Sequence, residues 1–291
     1  MSTWRTACFL LLASLSLIVA VGAYHRQPPP PTAPPPAYPL VPCTTAAACL
    51  DRAITACNAE NLPCFQAHLW QRVHAAPLSF QAEGLFVAAP AQRFRLDLQV
   101  RTADASRWVR IVSDGRVLWE AEDAAAARRV SRVDLQGLLG SGISAAQASA
   151  ELRRLCSFPG PDRLLHELRQ GVIFIAAARA PWKDRDSWVL TGARIPDAQA
   201  PCPNFQARQC RLVLDAKTYW PHRLEWWGPA PKRDGDVCLM EMELREPAVP
   251  AALAGSAFAF DPQDAVVEDR TPAWKEMLKA RVIERRTYPG N

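Results

Sequence analysis

The side chains that could do chemistry in this sequence are nine cysteines, five histidines and the acids near them. The cysteines are Cys8, Cys43, Cys49, Cys57, Cys64, Cys156, Cys202, Cys210 and Cys238. No C-x-x-C occurs and no histidine stands at ligand spacing from a cysteine, so no metal site is expected. Cys156 or Cys238 would act as a nucleophile only as a thiolate beside a cation; a buried or bridged thiol is the simpler reading. His25, His68, His74, His166 and His222 fall in no H-E-x-x-H pattern, and His166-Glu167 reads as a solvated pair on a short helix. G-x-S-x-G, G-x-x-x-x-G-K and G-x-G-x-x-G are all missing, and Gly140-Ser141-Gly142 reads as a turn. The expectation is a protein that is not an enzyme and needs no cofactor.

What does recur with a period is apolar. Phe94, Leu96, Leu98 and Val100 alternate with Arg93, Arg95, Asp97 and Gln99. Leu212/Leu214, Leu224/Trp226 and Met240/Met242/Leu244 stand at the same spacing of two. Ten tryptophans are many for 291 residues. Such faces are either the core of a sheet or the lining of a cavity. From the spacing alone the core of a sheet is the simpler reading.

The elements that carry these faces lie behind an export signal. Residues 1–23 hold one Arg and an apolar run, ACFLLLASLSLIVAVG, before Val21-Gly22-Ala23. This reads as a signal peptide or as a retained N-terminal membrane anchor. Either places the rest in the periplasm or cell envelope, soluble after cleavage or anchored by residues 7–23. Residues 24–42 are a Pro-rich linker: nine of the fifteen residues from Pro28 to Pro42 are proline. Residues 43–291 are expected to form one folded domain. Without Cys8 the cysteines number eight, and an oxidising compartment favours disulfides. Local pairs among Cys43, Cys49, Cys57 and Cys64, and Cys202 with Cys210, are the expectation. The net charge of +5 is mild and spread among acids, so nucleic acid is not an expected partner.

Within the domain, Leu50, Ile54 and Cys57 predict a helix, and Phe65, Leu69 and Val73 a second one. Residues 80–87, 93–100, 107–112 and 117–120 predict a meander, with a hairpin at Asp114-Gly115. Helix is expected over 124–170, including Ser144 to Phe158 and a short helix capped by Asp162. Strands follow at 172–178, 187–194, 210–215, 222–227, 237–245 and 256–260, then a helix at 272–286. The charged turns 182–186 and 229–234 read as solvated tips, or as contacts for a protein partner. The class is α+β: a strongly curved antiparallel sheet with helices on its concave side.

Three segments resemble the bacterial LolA-like lipoprotein carriers, a family of outer-membrane lipoprotein-sorting proteins. Val112-Ser113-Asp114-Gly115-Arg116-Val117-Leu118-Trp119 is similar to that family's S-D-G-K-T-L-W hairpin. Ala89-Pro90-Ala91-Gln92-Arg93-Phe94-Arg95 resembles its R-P-x-x-F-R strand, and Phe258 to Asp269 its F-x-F-x-P ending. The resemblance implies an unclosed β-barrel under a helical lid, binding lipid or lipoprotein acyl chains in an apolar cavity. Phe94, Leu96, Leu98, Val100, Leu212, Leu214, Leu224, Trp226, Met240, Met242 and Leu244 would line it. It also implies an alternative, an envelope-tethered sensor or protein-interaction module, since relatives sense lipid or regulate a membrane partner. Where the carriers hold the lid with an Arg, this chain has Ala89.

Overall fold

A computed structural model describes residues 43–58, 62, 64–75, 78–90, 92–124, 127–139, 160–196, 205–230 and 235–278. Twelve strands form one unclosed sheet. They are β1 (Phe65–Ala75), β2 (Leu78–Ala89), β3 (Arg93–Arg101), β4 (Ser106–Asp114), β5 (Val117–Ala124) and β6 (Ala127–Asp134), then β7 (Val172–Trp182), β8 (Arg185–Arg194), β9 (Gln209–Asp215), β10 (Pro221–Pro229), β11 (Asp236–Ala248) and β12 (Val267–Asp269). Their spatial order is β12-β6-β5-β4-β3-β2-β1-β11-β10-β9-β8-β7. All pairs are antiparallel except β12 on β6. Two meanders, β1 to β6 and β7 to β11, are joined where β1 pairs with β11.

The helices are α1 (Cys43–Cys57), α2 (Leu135–Leu139) and α3 (Pro161–Gly171), and residues 271–278 are also helical. Helix α1 buries Ala46, Cys49, Leu50, Ala53, Ile54 and Cys57, a stripe at helical spacing. Helix α3 starts on Pro161, whose missing N–H costs nothing at a helix start. Its N-cap is Gly160, at φ 93°, and not the expected Asp162, which sits in the first turn beside the helix dipole. Leu165 and Leu168 face inward. These side chains, with Leu135, Leu138, Trp274 and Leu278, join the inner face of the sheet in one apolar core.

Three sequence expectations change. Residues 65–75 are a strand, not a helix: Phe65, Leu69 and Val73 at every fourth position also fit period two, and buried Ala67 supplies the missing member. Residues 127–134 are strand β6 within the stretch read as helix; the segment 144–158 lies outside the described residues. Residues 255–258 form a 3₁₀ turn rather than a strand, and a short parallel strand, β12, follows. The 272–286 helix is present to residue 278, the limit of the described residues there.

The C-terminal segment runs from one face of the sheet to the other. Phe260 stacks on Trp119 at 5.2 Å, and the Arg93 guanidinium lies 5.3 Å from the Phe258 ring centre. Both contacts are on the outer face of β3 to β5. This cover explains why Ile111 and Val112 are both buried although they point to opposite faces. β12 then pairs with β6, and the following helix returns Trp274 and Leu278 to the inner core.

Candidate functional site

The register brings all eleven expected apolar residues to the inner face. Leu224 stands opposite Leu212 on β9 and Met242 on β11. Leu69 of β1 stands opposite Leu244 on one side and Gly84 on the other, and Gly84 opposite Leu98. Leu96, Leu98, Val100, Leu212, Leu214, Leu224, Trp226, Met242 and Leu244 belong to one core cluster, with Phe94 and Met240 packed against it. The face also holds residues the sequence reading left out. Leu69, Val73 and Phe86 contribute from β1 and β2, and the period-two signal was present in Phe65-Gln66-Ala67-His68-Leu69.

The face is closed over by helices. A crevice too narrow for a water molecule runs between Leu164 of α3 and Leu212, Leu224, Met242 and Leu244. Phe65 packs at 5.3 Å from Phe86 and 5.9 Å from Trp220, and Phe205 at 6.0 Å from Trp226. Outside, a shallow groove of about 370 Å³ lies beside Asp51, Arg52, Thr55 and Tyr219. There Arg52 Nη1 donates to Tyr219 Oη at 2.6 Å and Arg169 pairs with Asp51 at 3.0 Å, tying α1 to the β9–β10 turn and to α3.

One strand corrects the simple alternation. A bulge shifts the β10–β11 register between Trp226 and Trp227, so that Trp227 pairs with Cys238 and Trp226 with Met240. Leu239 therefore joins the core, and Cys238 passes to the outer face with Glu241. Burial pushes the Cys238 thiol up to about 12, with Glu225 and Glu241 adding to the effect. Cys57 is also pushed to about 12 by burial. Neither is activated as a nucleophile. Cys49, Cys57, Cys64, Cys210 and Cys238 are buried free thiols, so the expected local disulfides are not formed by these residues. Cys156 and Cys202 lie outside the described residues.

The outer face of β1, β10 and β11 is ionic. Arg223 donates to Glu225 at 2.6 Å, Glu241 at 2.5 Å and Glu243 at 2.7 Å. Arg72 also pairs with Glu241, and Lys183 reaches Glu243 at 2.7 Å from the β7–β8 turn. The three carboxylates are nearly inaccessible, at 2–4% side-chain exposure. Burial alone would raise the Glu243 pKa, but bonds and charge from Lys183 and Arg245 outweigh it and hold the carboxyl low. Next to this array His222 stacks on Trp182 at 5.2 Å, and its Nε2 lies 3.4 Å from Asp215. Burial lowers the His222 pKa, more than Asp215 raises it. Among the described residues no group of three or more His, Cys, Asp or Glu is placed to hold a metal ion.

No family model matches the chain, and no curated protein matches it. Solved structures do. MucB is similar over 77% of this chain at 16% identity, TM-score 0.35; this chain spans 66% of that one, just under two thirds. The lipoprotein LppX of Mycobacterium tuberculosis is similar over 72% of this chain and 99% of its own at 11% identity, TM-score 0.41. A LolA superfamily protein of Nitrosomonas europaea is similar over 74% of this chain and 98% of its own at 12% identity, TM-score 0.26.

Proposed function

We propose that this protein is an exported, non-enzymatic binder of lipid or of lipoprotein acyl chains, which it houses between the inner face of the sheet and helices α1 and α3. The observation that carries this reading is the convergence of the eleven residues from four strands, β3, β9, β10 and β11, on one apolar surface lined with Met, Leu and Trp. Such a surface recognises length and apolarity rather than a pattern of polar atoms. Ligand pockets usually hold about 300–1,000 Å³. The crevice under α3 does not admit even a water molecule, so binding requires α3 to lift from the sheet. The transport of lipoproteins between membranes is one use of such a device.

The closed seam also favours a second reading, in which the fold is an envelope-tethered sensor or interaction module and the inner face is only core. Native mass spectrometry and titration with a fluorescent fatty acid separate the two. The expected result is stoichiometric binding that Leu164→Trp, by obstructing the seam that must open between α3 and the sheet, weakens at least tenfold. No co-purifying lipid and no fatty-acid binding would overturn the carrier reading and leave the module.

A further inference from the structure

The inner face is not apolar throughout. On β4 and β5 it ends in two ion pairs. Arg107 stands opposite Val100 in the β3–β4 register, so it points to the same side as the core. Glu122 stands opposite Val109, and Glu120 opposite Ile111. Arg107 Nη1 donates to Glu122 Oε1 at 2.6 Å, with side-chain exposures of 9% and 15%. One register step further in, Arg270 Nη1 donates to Glu120 Oε2 at 3.2 Å, both 23% exposed. The two pairs are neighbours: the charge of Glu122 acts on Glu120. Arg107 is the second residue of β4 and lies beside the 102–105 turn, so the pairs sit toward one mouth of the trough.

Resting on the lipid-binding reading, we infer that these four side chains form the head-group subsite of the trough and select a zwitterionic amphiphile. The reason is charge balance. An anionic head that takes over Arg107 leaves the Glu122 carboxylate without its cation, which is costly in a low-dielectric site. A head carrying both signs exchanges each ion pair for another: its anionic oxygens accept from Arg107 and its cationic nitrogen approaches Glu122. The acyl chains then run over Val109, Leu98 and Leu96, which lie on the same face.

The test compares three probes of equal chain length below their micelle concentrations: short-chain phosphatidylcholine, short-chain phosphatidylglycerol and the free fatty acid. Affinity for the purified protein is read by native mass spectrometry and fluorescence displacement. The expected order places phosphatidylcholine at least tenfold tighter than the other two. Arg107→Gln abolishes that preference. The paired variant Arg107→Leu with Glu122→Leu, which leaves no unpaired charge, keeps the fold by circular dichroism and also loses the preference. Equal affinity for the three probes, or a preference unchanged in both variants, overturns the inference and leaves lipid binding standing. Binding of none of them defeats the lipid reading itself, and the head-group subsite with it.

Discussion

At the scale of single residues the decisive groups are those whose burial conflicts with their charge. Arg223 holds Glu225, Glu241 and Glu243, all nearly inaccessible, on the outside of the sheet. Arg223→Gln leaves three buried carboxylates short of one cation, and removing one partner of a buried pair costs about 3–5 kcal/mol. The expected loss at neutral pH is about 3 kcal/mol in chemical denaturation. The pH dependence has a definite sign. Glu243 is held below its ordinary value of 4.5, so its contribution is present above that pH and is lost as the pH falls through the lower folded value. Asp215, held at about 2 by backbone bonds from Thr218 and Lys217 that outweigh its burial, acts the same way between 3.8 and 2. His222 adds a loss that starts below 6.5, because its folded form resists protonation. Wild-type stability therefore falls in steps on acidification. The Arg223→Gln deficit shrinks on acidification, as Glu243 takes up its proton. A deficit of the same size at pH 3 and pH 7 would contradict the ionic account. None of this network was legible as a site in the sequence. Arg223, Glu225, Glu241 and Glu243 are spread over two strands, and only their juxtaposition in the β10–β11 register makes them one group.

At the scale of elements, two strands meet where no side chain fits. Gly84 of β2 sits between Leu69 and Leu98, and a Cβ there would lie 1.7 Å from the carbonyl oxygen of Asp97. The backbone of β3 comes so close to β2 at that point that no side chain can be placed there. Gly84→Ala must push β3 away and disturb the rows on both sides. The expected destabilisation is about 2–3 kcal/mol, read as a lower urea midpoint with an unchanged slope. An unchanged midpoint would show that the sheet relaxes freely there. The hairpin at Asp114-Gly115 was legible because its cause is local: Gly115 has φ 90°, and Asp114 Oδ1 accepts from the N–H groups of Arg116 and Val117 at 2.7 and 2.8 Å. β1 was misread because spacing by four satisfies both a helix face and a strand face, and only pairing with β2 and β11 decides between them.

At the scale of the whole molecule, the fold is a curved sheet held at one edge by its own C-terminal segment. Trp274, 7% exposed, and Leu278, 1% exposed, reach the same core as residues from α1, more than two hundred positions earlier. Arg270 tethers this helix to Glu120, and Thr271 Oγ1 accepts from the Asp134 N–H at 2.8 Å. Trp274→Ala is expected to cost about 3 kcal/mol and to lower stability of the whole domain in a single transition. Loss of the C-terminal helix alone, with the rest of the sheet intact by hydrogen exchange, would show instead that the segment is a separate unit.

What the sequence by itself determined follows from local and periodic causes. The alternation of apolar and polar residues on β3 and β9 to β11, the helical stripe of α1, the turn residues and the assignment of eleven side chains to one buried face all depend on spacing along the chain. Tertiary structure alone decided which strands are neighbours, that β12 adds in parallel, and that a bulge sends Cys238 outward and Leu239 inward. It also decided that five cysteines stay as buried thiols and that Arg107 and Glu122 meet at the end of the apolar face. These depend on contacts between distant parts of the chain, and periodicity carries no information about which distant segment supplies the partner.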